Sequence, residues 1–206
     1  MIDRRSLVKR GSAAAFGALA LIAVSGRTSL AQAAPGKAGP SPDLLPDPAT
    51  TPVPNPPFPK NLSHEELTHL EVFDQLDFDV FSHAEWDRLR LSHAPNIRAH
   101  WPDGHYTDGI DKHTEDMAAL FVWAPDLRIE AHPLRVAKDN LTAVTGVMKG
   151  TFTQPMPDGK GGTIAPTGNA FALNMITVGI WNRQGTMDEE FLFWDGQTFY
   201  QKIGLA

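Results

Sequence analysis

Residues 169–181 read Asn-Ala-Phe-Ala-Leu-Asn-Met-Ile-Thr-Val-Gly-Ile-Trp and are mainly apolar at both sets of alternating positions. One set contains Phe171 and Leu173, and the other contains Ile176 and Val178. Because successive side chains of a β-strand point to opposite faces, this run predicts a strand that is covered on both sides. We expect one face to meet helices and the other to line a cavity or a subunit interface.

Shorter runs in which apolar and polar residues alternate predict further strands in the C-terminal half of the chain. They cover residues 127–131, 142–147 and 186–194. Turn sequences rich in Gly, Asp and Asn at 157–162 and 182–185 separate neighbouring strands, which is typical of antiparallel hairpins.

Helices are predicted before these strands. The sequences Ser63-His-Glu-Glu66 and Ser82-His-Ala-Glu85 resemble capping boxes, in which a serine and a glutamate each accept a backbone N–H. They predict helices at about 63–75 and 82–92, and an apolar stripe predicts a third helix at about 109–123. Three helices followed by antiparallel strands predict an α+β domain, in which helices pack on one face of a curved antiparallel sheet.

Composition excludes several classes of function. The 206 residues include 18 Lys and Arg against 24 Asp and Glu, a net charge of −6, so no basic surface is expected that would bind nucleic acid. The chain has no cysteine, which excludes disulfides, thiolate metal sites and cysteine nucleophiles. A chain of this length with 42% hydrophobic residues is expected to form one domain.

The N-terminal 33 residues are organised like an export signal. A basic segment with Arg4 and Arg5 precedes a mild apolar run and a cleavage-site sequence that ends at Ala33. The paired arginines resemble a twin-arginine signal, although Asp3 stands where Ser or Thr is usual, and an ordinary secretory signal is the alternative. The apolar run of about twelve residues is shorter than the roughly 20 needed to span a bilayer. We therefore expect export to the periplasm or the medium, without stable membrane insertion after cleavage.

Residues 34–60 hold ten of the 17 prolines and few apolar side chains. Such a composition favours extended, solvated conformations, so we expect a disordered tether between the signal and a domain at 61–206. A ligand for a proline-binding module is the alternative, but no aromatic or basic flanks mark one.

Several motifs of this domain resemble one protein family. They are a Pro-Asp-Leu before the first long strand, a Pro-Thr-Gly before the central strand and a terminal Glu-Glu-x-x-x-x-Asp, at 125–127, 166–168 and 189–195. Their order and spacing are similar to those of SnoaL-type polyketide cyclases, in the nuclear-transport-factor-2-like superfamily. The resemblance implies a cone-like half-barrel with an apolar pocket and a cofactor-free intramolecular aldol closure. It also implies an acidic catalytic side chain near the end of the last long strand, and Asp195 best matches that position.

Asp195 and His113 are the predicted catalytic residues. Proton abstraction beside a carbonyl needs a base with a tuned pKa and a donor for the enolate oxygen. Asp195 follows Phe193 and Trp194, so aromatic surroundings are expected, and the alternative is that Asp195 caps the C-terminal segment. His113 lies in the apolar stripe of the third predicted helix and is expected to point towards the core. The alternative is a buried neutral histidine bonded to a backbone carbonyl.

Either face of the last long strand, at 186–194, is a candidate wall of the pocket. Glu189 and Glu190 point to opposite sides, and the set that contains Glu189, Phe191 and Phe193 is mostly aromatic, so we expect that set to face the pocket. A solvated or salt-bridged edge explains Glu190 equally well. The residues predicted to bind substrate are His100, Tyr106, Trp123, Asn174, Glu189, Phe191 and Phe193.

A metal site built from His100, His105 and His113 is not expected, because their spacings fit no common zinc pattern. No cofactor is expected either. The residues and the resemblance predict an exported, cofactor-independent enzyme for aldol cyclisation, isomerisation or lyase chemistry on a small carbonyl compound. The alternative is a non-catalytic periplasmic module that binds a small molecule in the same pocket. In either case, an apolar sheet face left in water favours a homodimer.

Overall fold

The computed structural model describes residues 52–206, and the predicted export signal lies outside this part of the chain. The first helix, α1, spans His64–Gln75. It begins at the predicted capping box, where the Ser63 hydroxyl accepts the N–H of Glu66 and the Glu66 carboxylate accepts the N–H of Ser63. The helix continues directly into a wider π-helical segment at Leu76–Phe81.

The second predicted helix, at 82–92, is wrong as an α-helix. Ser82 ends the π-helix instead of starting a new helix, and a 3-10 helix at Trp86–Leu91 follows. The Ser82 hydroxyl accepts the N–H of Ile129 at 2.8 Å and donates to the carbonyl of Asp77 at 2.6 Å. A hydrogen bond between residues 47 positions apart therefore takes the place of the local cap.

The third predicted helix is present as α2, Ile110–Trp123, and a short helix α3, Gly196–Lys202, follows the last strand. None of the helices within the described residues is long and apolar enough to cross a membrane. The strands of this part of the chain are β1 (His93–His100), β2 (Tyr106–Asp108), β3 (Arg128–Ile129), β4 (Leu134–Lys138), β5 (Leu141–Thr151), β6 (Met156–Pro157), β7 (Thr163–Ile164), β8 (Ala170–Trp181) and β9 (Met187–Phe193).

Seven of these strands form one curved, unclosed sheet in the order β2-β1-β9-β8-β5-β3, with β4 also paired to β5. β1 and β9 run parallel, and the other neighbouring strands are antiparallel. β6 and β7 form a separate hairpin around the predicted turn at 157–162. The predicted α+β fold is confirmed, and the parallel pair places the first strand beside the last.

β8 has a buried inner face and a partly open outer face. Phe171 and Leu173 on the inner face are 1% exposed, whereas Ile176 on the outer face is 45% exposed. Gly179 also lies on the inner face, and a Cβ there would come within 2.5 Å of the sulfur of Met187. The predicted strand is therefore present, but the core and the cavity both lie on its inner face, and its outer apolar face is partly exposed rather than covered.

The described part of the predicted tether contacts the domain. The side-chain oxygen of Asn55 accepts hydrogen bonds from the N–H of His132 and the guanidinium of Arg135. The Phe58 ring lies 5.1 Å from the same guanidinium carbon. These contacts differ from the solvated conformation expected for 34–60, and the rest of that segment lies outside the described residues.

Candidate active site

A narrow cavity of about 40 Å³ lies between the inner face of the sheet and the helices. A volume of this size holds about three water molecules. Its walls are mostly apolar and include methionines from three elements, Met117 on α2, Met148 on β5 and Met175 on β8. The polar side chains that also line it include Asp77, His93, His113, Thr177 and Glu190.

Glu190, on β9, is the centre of a polar group that we call the Glu190 cluster. Its oxygen Oε2 lies 3.1 Å from Nε2 of His113, on α2, and 3.5 Å from Nε2 of His93, on β1. The three residues are 4%, 0% and 1% exposed, respectively. Burial alone would raise the pKa of Glu190, but the two histidines outweigh burial and lower it well below its usual value. Glu190 is therefore held as a carboxylate inside the fold.

The three residues of the Glu190 cluster come from distant parts of the chain. The parallel pairing of β1 with β9 places His93 close to the strand that carries Glu190. His113 lies on the buried side of α2, about one turn before Met117. The Oγ of Ser92 lies 2.8 Å from Nδ1 of His93 and orients that ring. Nδ1 of His113 has no hydrogen-bond partner among residues 52–206.

A second polar group, the His132 cluster, begins at the cavity and contains Asp77, His132, Asp74 and Arg135. Nε2 of His132 lies 2.8 Å from Oδ2 of Asp77, and its Nδ1 lies 2.8 Å from Oδ1 of Asp74. Arg135 donates two hydrogen bonds to Asp74, from Nε and Nη2. Burial disfavours a charged His132, but the two aspartates outweigh burial and raise the pKa of His132 to about 9.

The two aspartates of the His132 cluster have different pKa values. Burial raises the pKa of Asp77, and His132 offsets this effect only in part. Burial acts in the same direction on Asp74, but His132 and Arg135 outweigh it and lower the pKa of Asp74. Two carboxyls whose pKa values are pushed apart are typical of paired acid and base groups. Asp77 is the member of the cluster that lines the cavity.

Of the two predicted catalytic residues, His113 lies in the cavity and Asp195 does not. His113 is buried beside Glu190, and neither of its ring nitrogens is hydrogen-bonded to a backbone carbonyl of residues 52–206. Asp195 is exposed and caps α3, where its Oδ1 accepts the N–H of Thr198 at 2.6 Å. Hydrogen bonds from Thr198 also lower the pKa of Asp195. The surface groove that Asp195 lines has no aromatic side chain, so the expected aromatic surroundings are wrong, and the structure shows the capping alternative.

The aromatic set of β9 faces outward, which corrects the predicted face of the pocket. Glu189, Phe191 and Phe193 do not line the cavity, and Phe193 is 51% exposed. His100 stacks on Phe191 with ring centroids 4.1 Å apart, and its Nε2 lies 3.0 Å from Glu189. Tyr106, near His100, is 55% exposed. Both faces of β9 carry large apolar side chains, so alternation alone could not show which face meets the helices.

The remaining predicted residues also lie away from the cavity. Trp123 is 1% exposed and stacks on Phe171 in another part of the core. Asn174 is exposed and lines a surface groove together with Asp195. His105 is exposed and stacks on Trp101, so the three histidines considered for a metal site are not brought together.

Sequence reasoning missed most of the polar residues of the site. Asp74 and Asp77 lie one helical turn apart, and Asp77 stands within the largely apolar run Leu76–Phe81. A carboxyl in such a run is a usable signal, because a buried charge needs a partner. The partner, His132, is 55 residues from Asp77, and no local pattern connects the two.

Comparisons with known proteins agree with this architecture. The sequence profile of the family described as SnoaL-like polyketide cyclase matches residues 72–203, which contain both clusters. A protein from Jannaschia sp. CCS1 assigned to the SnoaL-like polyketide cyclases has a TM-score of 0.62 and 19% identity, over 72% of this chain and 99% of that chain.

Two further solved structures are similar. IdmH from Streptomyces antibioticus, assigned as a polyketide cyclase, has a TM-score of 0.57 and 20% identity, over 66% of this chain and 98% of that chain. An NTF2-like protein of unknown function from Burkholderia pseudomallei has a TM-score of 0.53 and 15% identity, over 69% of this chain and 99% of that chain. At these identities the likeness extends to the fold alone. No curated protein matches the sequence.

Proposed function

Since the chain belongs to the SnoaL-like polyketide cyclase family, we propose that it catalyses acid–base chemistry on a small carbonyl compound bound in the cavity. The reaction is an aldol cyclisation, an isomerisation or a lyase reaction. One observation carries this proposal: two buried carboxyl–histidine clusters, one through Asp77 and one through Glu190, meet at a single apolar cavity. Family membership by itself supports a cyclase-type function in general.

Asp77 is the proposed general acid and base. Burial raises its pKa, and a carboxyl whose pKa is closer to neutrality can both accept the α-proton of a carbonyl compound and return it. His132 holds Asp77 in place through Nε2, while Asp74 fixes the other ring nitrogen. The ring therefore cannot rotate away from Asp77 without losing both hydrogen bonds.

His113 is the proposed donor to the carbonyl oxygen. This oxygen gains negative charge as the enolate forms, and a positioned donor stabilises it. The His113 ring lines the cavity, and its Nδ1 has no hydrogen-bond partner among residues 52–206. A bound ligand could therefore take this nitrogen as its partner without breaking another hydrogen bond.

A substrate larger than a few water molecules requires the cavity to widen. Met117, Met148 and Met175 form part of its walls. Methionine is unbranched and adapts its shape by rotation about three bonds. We propose that movement of these side chains, rather than of the backbone, makes room for the substrate.

The test begins with native mass spectrometry of the purified full-length protein, followed by turnover assays on the bound compound. Asp77→Asn is expected to lower kcat by about 100- to 10,000-fold, because it removes the proton acceptor. Asp79→Asn changes an exposed aspartate in the same π-helix and is the matched control. Full activity in Asp77→Asn would overturn this mechanism. A ligand that co-purifies unaltered and is never converted would favour the non-catalytic binding module.

We also propose that residues 1–33 direct export to the periplasm or the medium, which rests on the sequence pattern alone. Replacement of Arg4 and Arg5 by lysine is expected to leave an uncleaved precursor inside the cell. Arg27→Lys, near the cleavage site, is the control. The intact mass of the intracellular and of the exported protein shows whether the signal has been removed. Unimpaired export of the double variant would indicate the ordinary secretory route.

A further inference from the structure

The Glu190 cluster combines two imidazoles and one carboxylate at short range. One ligand atom from each of His93, His113 and Glu190 lies within 4.8 Å of the other two. The separations from Glu190 Oε2 are 3.1 Å to His113 and 3.5 Å to His93. Metal–ligand bonds of about 2.0–2.2 Å place two ligands of one ion about 3 to 3.5 Å apart. The cluster therefore has the dimensions of a metal site.

A serine hydroxyl orients His93. The Ser92 oxygen lies 2.8 Å from Nδ1 of His93 and 3.1 Å from the carbonyl oxygen of Leu89. With the ring held in this way, Nε2 of His93 faces the Glu190 carboxylate at 3.5 Å, which is longer than a normal N–H···O hydrogen bond. One metal ion between these two atoms would contact both at ordinary metal–ligand distances.

A metal ion fits these separations better than a shared proton. Nε2 of His113 lies 3.1 Å from Oε2 of Glu190 without forming an aligned hydrogen bond. A proton bridges two atoms, whereas an ion between the three residues binds all of them. A contact such as that between Nδ1 of His93 and the Ser92 hydroxyl orients many metal-bound histidines.

We propose that His93, His113 and Glu190 bind one divalent transition-metal ion, such as zinc, with a coordination position open to the cavity. Two histidines and one carboxylate form the ligand set of many catalytic zinc and non-haem iron sites. When bound, the ion would take over from His113 the role at the carbonyl oxygen: it would polarise that oxygen and stabilise the enolate when Asp77 takes the α-proton. This catalytic role rests on the proposed function, whereas metal binding does not. A metal-assisted reaction would depart from the cofactor-free reaction that the family resemblance implies.

The binding test is a titration of the full-length protein with Co²⁺ and Zn²⁺ after treatment with EDTA and dialysis. We expect one equivalent of Co²⁺ per chain, visible absorption bands that disappear when Zn²⁺ displaces Co²⁺, and a higher Tm with Zn²⁺. Glu190→Gln is expected to weaken binding by about 100-fold or more. Glu189→Gln, next to it on the outer face, is the matched control and is expected to bind like the wild type. No binding by the wild type, or undiminished binding by Glu190→Gln, would overturn the proposal.

A second variant keeps the test valid if Glu190→Gln does not fold. Ser92→Ala retains all three ligands and removes the hydroxyl that orients His93. It is expected to keep the circular dichroism spectrum of the wild type and to bind Zn²⁺ about 10- to 100-fold more weakly. Wild-type affinity in Ser92→Ala would contradict the orientation argument on which the proposal depends.

Turnover separates this inference from the proposed function. Full turnover by metal-free protein would remove the catalytic role of the ion and leave acid–base catalysis by Asp77 intact. Stoichiometric metal binding together with full activity of Asp77→Asn would support the metal site and overturn the proposed mechanism.

Discussion

His132 is a buried side chain whose charge stabilises the fold. Its neighbours Asp74 and Asp77 raise its pKa from 6.5 to about 9. Because the folded-state pKa is above the unfolded value, the extra stability is fully present below pH 6.5 and is lost as the pH rises to about 9. At about 1.4 kcal/mol for each tenfold change in proton affinity, the loss is about 3 kcal/mol.

Urea unfolding between pH 6 and pH 10 measures this dependence. We expect the free energy of unfolding of the wild type to fall over that range by about 3 kcal/mol more than that of His132→Asn. His83→Asn, which changes an exposed histidine, is expected to retain the wild-type dependence. Parallel pH curves for the wild type and His132→Asn would show that His132 is not charged in the folded protein.

The sequence was informative about single residues where one pattern dominated. The stripe on α2 correctly predicted that His113 points inward, because polar residues mark the opposite side of that helix. The same logic failed on β9, where Phe191 and Leu192 are both large and apolar although they point to opposite faces. Which of the two acidic residues, Glu189 or Glu190, enters the core depends on the strand that pairs beside them.

The helix α3 shows how a short element depends on its cap. Asp195 provides the side-chain acceptor for the N–H of Thr198, and a helix of seven residues gains little stability from its own length. Asp195→Ala is therefore expected to lower the Tm by about 2–4 °C. Asp195→Ser retains a capping oxygen and is expected to recover most of the loss.

Turnover by the same variants tests the role that the sequence suggested for Asp195. If the residue acts only as a cap, Asp195→Ala keeps the kcat of the wild type at temperatures well below its Tm. A loss of kcat in both Asp195→Ala and Asp195→Ser without a matching loss of folded protein would instead restore the catalytic interpretation.

Helices and strands that are set by nearby residues could be predicted from the sequence. Those that depend on contacts with distant residues could not. α1 begins where its capping box indicates, and β8 follows its apolar run. The second apparent capping box failed because Ser82 bonds the backbone of Ile129, which the sequence around Ser82 does not reveal. The π-helix that carries Asp77 likewise had no recognised local signal.

The candidate site exists because the sheet brings remote strands together. The parallel β1–β9 pair and the position of α2 assemble the Glu190 cluster from three separate parts of the chain. His132 precedes β4 and meets α1 and the π-helix through its two aspartates. A single sequence predicts the fold class from repeated local patterns, but it holds no equivalent pattern for such long-range pairs.

The outer face of the sheet is expected to bind a second copy of the chain. Large apolar side chains are exposed there on three strands, among them Leu134 and Val136 on β4, Ile176 on β8 and Phe193 on β9, with β5 between β4 and β8. Ile176 lies opposite both Thr145 and Phe193 in the strand register, so it is near the centre of this surface. An apolar face of this kind is stabilised when another copy removes it from water.

Sedimentation equilibrium of the full-length protein tests this prediction. We expect the wild type to sediment as a homodimer, and we expect Ile176→Lys to sediment as a folded monomer because it places a charge at the centre of the contact. Val122→Lys is the matched control, since Val122 is a 55% exposed apolar residue on α2 rather than on the sheet. A wild type that is monomeric at high protein concentration would contradict the prediction. A dimer that is disrupted by Val122→Lys but not by Ile176→Lys would also contradict it.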